Sequence, residues 1–123
     1  MGIFGFQQVG ASSNHYDTNF NFFFGNPEIS PQTDSREKLN NTSAYIKPTN
    51  ISGGDSFRAW VSLENGMDVS GGHHYNVYQG QEVFLINYAV ETYGVPVKVR
   101  IQARKTHGSN TMSAEGVWSP DSI

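Results

Sequence analysis

The sequence predicts an all-β fold with a single domain, arranged as an antiparallel β-sandwich or a jelly-roll-like barrel. The clearest observation is the segment 95–104, where an apolar residue at every second position alternates with Pro, Lys, Arg or Gln. Successive side chains of a strand point to opposite faces, so this pattern is typical of a strand with one buried face. About seven or eight such segments follow one another at intervals typical of sandwiches and barrels. No segment of comparable clarity indicates a helix.

The first half of the chain contains three of these strands. Residues 18–24 form the first, with Phe20, Phe22 and Phe24 on one face. A proline-containing loop follows, and residues 35–40 are compatible with a single helical turn, although they are short and polar for one. Residues 42–47 predict a second strand that ends at Pro48, and residues 57–63 predict a third.

The second half continues the pattern after a tight turn at residues 64–66, where Asn-Gly accepts positive φ. Residues 67–70 are expected to pair back as a short strand, and residues 75–78 form another. Residues 82–90 predict a further strand, and its part 83–86 is apolar on both faces, as in a central strand covered on both sides. A turn at 107–110 and a closing strand at 111–118 complete the domain.

The chain divides into an N-terminal arm, residues 1–17, and a β-sandwich domain, residues 18–123. The arm is rich in glycine but carries apolar anchors at Ile3, Phe4, Phe6 and Val9. Such an arm can add itself as a strand to the sheet edge of another subunit, with main-chain hydrogen bonds providing the affinity. The alternative is an arm that folds over one end of its own domain.

Composition excludes several classes of function. The net charge of -3 over 123 residues argues against a nucleic-acid-binding protein, which normally carries a basic surface. No apolar run approaches the ~20 residues of a membrane span. Charged residues make up only 15% of the chain, and such a low content is common in extracellular β-proteins and in surfaces that self-associate.

The first residues lack the basic region of a signal peptide, so the chain is either cytoplasmic or a mature exported form.

Catalytic and metal-binding patterns are weak, and we expect no enzyme activity, cofactor or metal. His73 and His74 are adjacent in a loop, and neighbouring extended residues point in opposite directions, which does not suit a shared metal. The carboxylates Glu64, Glu82, Glu91 and Glu115 lie near turns or strand ends, without the spacing that would suggest a glycosidase pair. The sequence has no cysteine and no Gly-x-Ser-x-Gly nucleophile elbow.

Aromatic residues give the candidate interaction surface. Trp60 lies opposite the apolar face of its strand, and exposed Trp and Tyr suit protein interfaces or stacking on sugars. We therefore include Trp60, Trp118, Tyr75 and Tyr78 in this surface. The alternative for Trp60 is that both faces of its strand are covered or that a loop packs over it. The alternative for Trp118, at the end of the last strand, is a core residue at the rim.

Four short motifs carry a family resemblance: Asp-Thr-Asn-Phe-Asn-Phe at 17–22, the segment from Arg36 to Asn-Thr-Ser at 41–43, Val-Tyr-Gln-Gly at 77–80, and Ser-Ala-Glu-Gly-Val-Trp-Ser-Pro-Asp at 113–121. Together they resemble small secreted all-β proteins of unknown function from Gram-positive, Bacillus-type bacteria. The resemblance implies export and a non-enzymatic β-domain, and it implies no catalytic residues. The chain departs from that pattern in its long arm and in Val117, where an aromatic residue is usual.

The sequence as a whole predicts an extracellular, non-enzymatic structural or interaction domain, secreted or at the cell surface. We expect it to form a homo-oligomer through its arm and sheet edges, such as a filament or surface layer. Two alternatives remain open: a secreted effector of the bacteriocin type, and a carbohydrate-binding module with a glycan partner. Neither nucleic acid nor a membrane-spanning segment is expected.

Overall fold

The computed structural model describes residues 12–106 and 110–123, which form two antiparallel four-stranded sheets. The elements are β1 (Thr18–Phe24), β2 (Arg36–Lys38), β3 (Ala44–Ser52), β4 (Ser56–Leu63), β5 (Tyr75–Tyr78), β6 (Val83–Leu85), α1 (Ala89–Tyr93), β7 (Val97–Lys105) and β8 (Met112–Ser119). Sheet 1 has the order β1-β8-β3-β6, and sheet 2 has the order β2-β7-β4-β5. The prediction of an all-β antiparallel fold is confirmed, and the sheets are open rather than closed into a barrel.

The core lies between the inner faces of the two sheets. Phe20, Phe22 and Phe24 of β1 are buried, as their alternation predicts, while the residues between them point outward. All three rings pack around Phe57 of β4, and the ring centroids of Phe22 and Phe57 are 5.6 Å apart. Aromatic pairs at this distance add to the burial of apolar area, so this contact ties sheet 1 to sheet 2.

The alternating segment at 95–104 becomes the central strand β7 of sheet 2. Val99, Ile101 and Ala103 are fully buried, and Lys98 on the opposite face is exposed. The strand begins only at Val97, so Val95 lies outside it and is 55% exposed. The prediction of which side chains face the core is correct within β7. It is wrong at Val95, which precedes the first residue of the strand.

Two predicted elements differ from the structure. Residues 36–38 form the edge strand β2, which pairs with β7, and not a helical turn. The apolar run at 83–86 is not a central strand: β6 has three residues at the edge of sheet 1, and Phe84 is 55% exposed. Its ring instead packs beside Tyr45 on the outer face, with centroids 5.4 Å apart, and the chain then turns into the short helix α1.

Strand β3 continues through Pro48 to Ser52, where the sequence predicted its end. Proline is tolerated because the register with β8 shifts between Pro48 and Asn50, which marks a β-bulge. The partner of Pro48 in β8 is Gly116, and a Cβ there would overlap the Lys47 carbonyl and lie 2.6 Å from Pro48 Cα. The bulged strand can therefore approach β8 only where β8 has no side chain.

The predicted turn at 64–66 is present. The Leu63 N–H donates to Met67 O at 2.8 Å, and Gly66 has φ of +92°. Residues 67–70 pair back through the bridge between Ser62 and Asp68 rather than as a full strand. Residues 107–109 of the predicted turn at 107–110 lie outside the described part of the chain.

Candidate interaction surfaces

The longest outer edge belongs to β1, which pairs with β8 on one side and with no other described strand on the second side. Its seven residues, Thr-Asn-Phe-Asn-Phe-Phe-Phe, include no charge and no proline. Natural edge strands are usually protected by charges, proline, bulges or short length, because an open edge pairs readily with another chain. The described register with β8 is regular from Thr18 to Phe24, so β1 has none of these protections.

The other outer edges are shorter or protected. β2 has three residues, all charged, and β6 has three residues that follow Glu82. β5 has four residues. Among the described strands, β1 is therefore the edge best suited to accept an additional strand.

A buried ion pair joins β2 to the C-terminal tail. Lys38 Nζ lies 3.0 Å from Asp121 Oδ1, and both side chains are fully buried. The same ammonium donates to the carbonyl oxygens of Thr42 and Pro120. The Asp121 carboxylate also accepts the backbone N–H of Leu39 at 2.9 Å. Burial lowers the pKa of Lys38, and the adjacent Asp121 opposes this shift.

The segment before β1 is held by the same network. The Asn14 N–H donates to Asp121 Oδ2 at 2.9 Å, and its side-chain amide donates to Glu37 O at 2.8 Å. Arg36 donates to Asn14 Oδ1 and to Tyr16 O, and its guanidinium lies 4.8 Å from the Tyr16 ring centroid. The segment 12–17, which the sequence places in the arm, is thus fixed against β2 and the tail.

Ser12 and Ser13, at the start of the described part of the chain, are also held by hydrogen bonds. Ser13 Oγ donates to Ile123 O at 2.5 Å, and Asn40 Nδ2 donates to Ser12 O at 3.2 Å. The predicted arm anchors Ile3, Phe4, Phe6 and Val9 lie outside the described residues. The described part of the chain begins at Ser12, beside these contacts.

Trp60 lies on the outer face of sheet 2 but is not bare. The His74 ring stacks on it, with centroids 4.3 Å apart and planes within 7°. His74 Nε2 lies 2.8 Å from Asp68 Oδ2, which holds the ring in this position. Partial burial would raise the pKa of Asp68, but hydrogen bonds from the Ser70 hydroxyl and N–H and from His74 lower it overall.

The four aromatic residues predicted to form one surface lie in different environments. Trp118 is 1% exposed and lies in the core, because its position in β8 faces inward opposite Ile46 and Thr18. Tyr75 is half-buried against the core, and its hydroxyl accepts the Ile86 N–H. Tyr78 is 49% exposed at the edge strand β5. Trp118 therefore does not belong to an interaction surface.

A row of polar side chains crosses the outer face of sheet 1. Asn21 of β1 lies opposite Glu115 of β8, and Glu115 lies opposite Asn50 of β3. All three are exposed, and within residues 12–106 and 110–123 their side chains make no hydrogen bond. Asn21 and Glu115 line a depression of about 260 Å³ together with Asn19 and Thr49.

Sequence reasoning missed the network of Arg36, Lys38 and Asp121. The only signal was their presence in the motifs that carry the resemblance, since a buried Lys in a short polar segment has no periodic signature. No group of three or more His, Cys, Asp or Glu residues in the described part of the chain is arranged to hold a metal ion. Within the same ranges, no helix is long and apolar enough to cross a membrane.

The described residues form a small antiparallel β-sandwich in which the uncharged strand β1 pairs with no described strand on its outer side. Residues 7–122 match the family described as protein of unknown function (DUF2712), and the chain belongs to this family. No curated protein matches the chain. No solved structure matches it either.

Proposed function

We propose that this protein is an extracellular, non-enzymatic interaction domain that self-associates by strand addition. In this proposal the N-terminal arm of one copy pairs with the free edge of β1 in another copy. The observation that carries the proposal is the edge itself: seven consecutive residues without charge, proline or bulge, unpaired on one side among the described strands. Such an edge provides main-chain donors and acceptors for an incoming strand.

The arm has the length and the composition of a donor strand. Residues 1–11, fully extended, would span up to ~36 Å, whereas a strand of seven residues is ~23 Å long. Ile3, Phe4 and Phe6 supply apolar side chains. Phe23, which is 58% exposed on the outer face of β1, offers them an apolar partner. One arm is therefore long enough to reach a neighbouring β1 and cover it.

The network around Asn14 supports this role because it fixes the base of the arm. Hydrogen bonds to Asp121, Glu37 and Arg36 hold residue 14 against the domain. A donor strand that starts from a fixed point has fewer orientations to lose on binding than one on a long flexible linker. Because each copy carries one arm and one acceptor edge, this head-to-tail contact yields either closed rings or open filaments.

The location outside the cell and the absence of catalysis are parts of the same proposal. The low content of charged residues and the resemblance to small secreted β-proteins support export. Culture fractionation tests this directly: the protein is expected in the medium or on the cell surface. Recovery in the cytoplasm alone would contradict the extracellular role.

The assembly is tested by measuring molar mass with light scattering after size exclusion. The full chain is expected to give oligomers, and the double variant Phe4→Asp, Phe6→Asp is expected to give monomers, because a charge cannot pack on the apolar edge. Gln8→Asp is the matched control, since it adds a charge to the same arm at a polar position. A monomeric full chain, or a double variant that assembles like the control, would contradict the proposal.

The acceptor edge is tested separately. Phe23→Lys adds a charge to the free edge, which is the protection that natural edge strands use. Ser113→Lys adds the same charge on the same outer face, directly opposite Phe23 but in the interior strand β8. We expect only Phe23→Lys to reduce assembly. Equal effects of the two variants would indicate association through the face of sheet 1 and not through its edge.

A further inference from the structure

We propose that the outer face of sheet 1 carries a binding site for a neutral oligosaccharide, centred on the row Asn21, Glu115 and Asn50. The site lies beside the strand-addition edge and differs from it in using side chains on the face of the sheet rather than main-chain groups at its margin. Phe23 is the one residue that both sites use. It also differs from the aromatic surface that the sequence predicted around Trp60.

The sheet register places these groups side by side. Asn21 and Asn50 flank Glu115 on the two neighbouring strands, and each is its direct cross-strand partner. Directly opposed residues of an antiparallel pair have Cβ atoms about 4.5–5.5 Å apart, so the row presents two carboxamides and a carboxylate over roughly 10 Å. This separation is comparable with the spacing of hydroxyl groups along two linked sugar rings.

The hydrogen-bonding capacity of the row is unused in the described protein. Each carboxamide has two donor hydrogens and an acceptor oxygen, and the carboxylate offers acceptors only. In the described ranges these side chains have no hydrogen-bond partner, although Thr49 Oγ1 donates to the Glu115 backbone at 3.3 Å. Groups that both donate and accept complement a sugar hydroxyl, which also does both.

An apolar platform completes the site. Phe23 lies two residues from Asn21 on the same face of β1 and is 58% exposed. An exposed aromatic ring can stack on the C–H face of a sugar while neighbouring amides bind its hydroxyl groups. A depression of about 260 Å³ lies beside Glu115, and Asn19, Asn21 and Thr49 also line it.

The charge of the site disfavours an anionic ligand. Glu115 is the one charged side chain of the row, and it would repel phosphate or carboxylate groups. Lys47 lies in the adjacent row, opposite Val117, and it is the cation nearest to Glu115 in the described sheet register. By contrast, one face of the Trp60 ring is already stacked against His74.

The test is a titration of the full chain with soluble cellohexaose, xylohexaose, chitohexaose and maltohexaose, followed by isothermal calorimetry and by NMR. We expect at least one of these probes to bind and to shift the amide signals of β1 and β8. Glu115→Ala and Phe23→Ala should each weaken that binding about tenfold or more, since each removes a contact that the bound sugar cannot replace.

Lys98→Ala is the matched control, because Lys98 is exposed on the outer face of sheet 2. It should leave the affinity unchanged, and thermal unfolding should confirm that all variants are folded. Binding of none of the four probes at millimolar concentration would overturn the proposal. Binding that Trp60→Ala abolishes and Glu115→Ala leaves intact would also overturn it. Sugar affinity and molar mass are separate measurements. A chain that assembles but binds no sugar would contradict only the sugar site. A chain that binds sugar but stays monomeric would contradict only strand addition.

Discussion

Lys38 Nζ and Asp121 Oδ1 lie 3.0 Å apart in an ion pair with no solvent exposure. Three further carbonyl and amide groups satisfy the pair: Thr42 O and Pro120 O accept from the ammonium, and the Leu39 N–H donates to the carboxylate. Because the Asn14 N–H donates to the same carboxylate, one buried side chain connects the base of the arm, β2 and the C-terminal tail.

Replacing Asp121 should be severely destabilising. Asp121→Ala leaves a buried ammonium without its counter-charge and three backbone N–H groups, those of Asn14, Leu39 and Asn40, without this acceptor. We expect a loss of about 3–5 kcal/mol in the free energy of unfolding. Urea denaturation measures this, and Glu37→Ala, on the exposed face of the same β2, should change it by less than about 0.5 kcal/mol. If Asp121→Ala does not fold, Asp121→Asn should fold with an intermediate loss. Equal stability of Asp121→Ala and Glu37→Ala would contradict the structure.

A carboxylate should destabilise the protein strongly on the inner face of β7 and only slightly on its outer face. Val99→Asp, like Leu85→Asp in β6, places an unpaired carboxylate at a fully buried position and should prevent folding or cost several kcal/mol. Lys98→Asp replaces the exposed residue next to Val99 and should change the free energy of unfolding only slightly. Gln102→Asp, on the same outer face, should also have a small effect. Thermal unfolding followed by circular dichroism distinguishes them. Similar sensitivity at positions 98 and 99 would mean that the face assignment is wrong.

Gly116 of β8 should tolerate a side chain poorly. A Cβ at this position would meet the backbone of Lys47 and Pro48, so Gly116→Ala requires β3 to move away from β8 and should cost about 2–3 kcal/mol. Gly66→Ala is the comparison: its Cβ meets nothing within 4 Å, and only its positive φ is strained, at a cost of about 1–2 kcal/mol. A larger loss at Gly66 than at Gly116, measured by urea denaturation, would contradict the close approach at the bulge.

Asp68 should make stability depend on pH in the acid range. The hydrogen bonds from Ser70 and His74 lower the pKa of Asp68 in the folded protein relative to the unfolded chain. The unfolded chain then binds more protons, so the stabilisation is present above the unfolded-state pKa and is lost as the pH falls through the folded-state pKa. Asp68→Asn should therefore destabilise more at pH 6 than at acid pH.

The matched control for this measurement is Asp55→Asn, which changes an exposed aspartate in the turn between β3 and β4. Its effect on the free energy of unfolding should be small and similar at both pH values. If Asp68→Asn lowered the free energy of unfolding equally at both pH values, the hydrogen bonds to Asp68 would not favour its ionised carboxylate over its protonated form. That result would contradict the prediction.

The sequence predicts the sheet architecture well wherever one face is buried. The alternation in β1 and β7 reports burial directly, and Phe20 and Val99 lie in the core as this pattern predicts. It fails where burial does not follow the period of two. Residues 83–86 are apolar throughout, yet Phe84 packs on the outer face beside Tyr45, and Pro48 is accepted inside a strand because Gly116 faces it. Both outcomes depend on residues distant in the sequence.

The surfaces were harder to predict than the core. For Trp118 the sequence allows both an interaction surface and the rim of the core, and the inward register in β8 buries it. Trp60 stacks against His74, a histidine from a separate loop. The row of Asn21, Glu115 and Asn50 brings together residues from three strands, and only the sheet order makes them neighbours. A single sequence does not contain that order.

Hydrogen exchange of the β1 backbone tests the central claim most directly. The amides of Thr18–Phe24 that point away from β8 have no described partner strand in the single chain. In the assembled full chain they should be protected by the arm of a neighbour. In the Phe4→Asp, Phe6→Asp variant they should exchange faster, with β7 unchanged as the internal reference. Equal exchange of β1 in the two proteins would contradict strand addition at this edge.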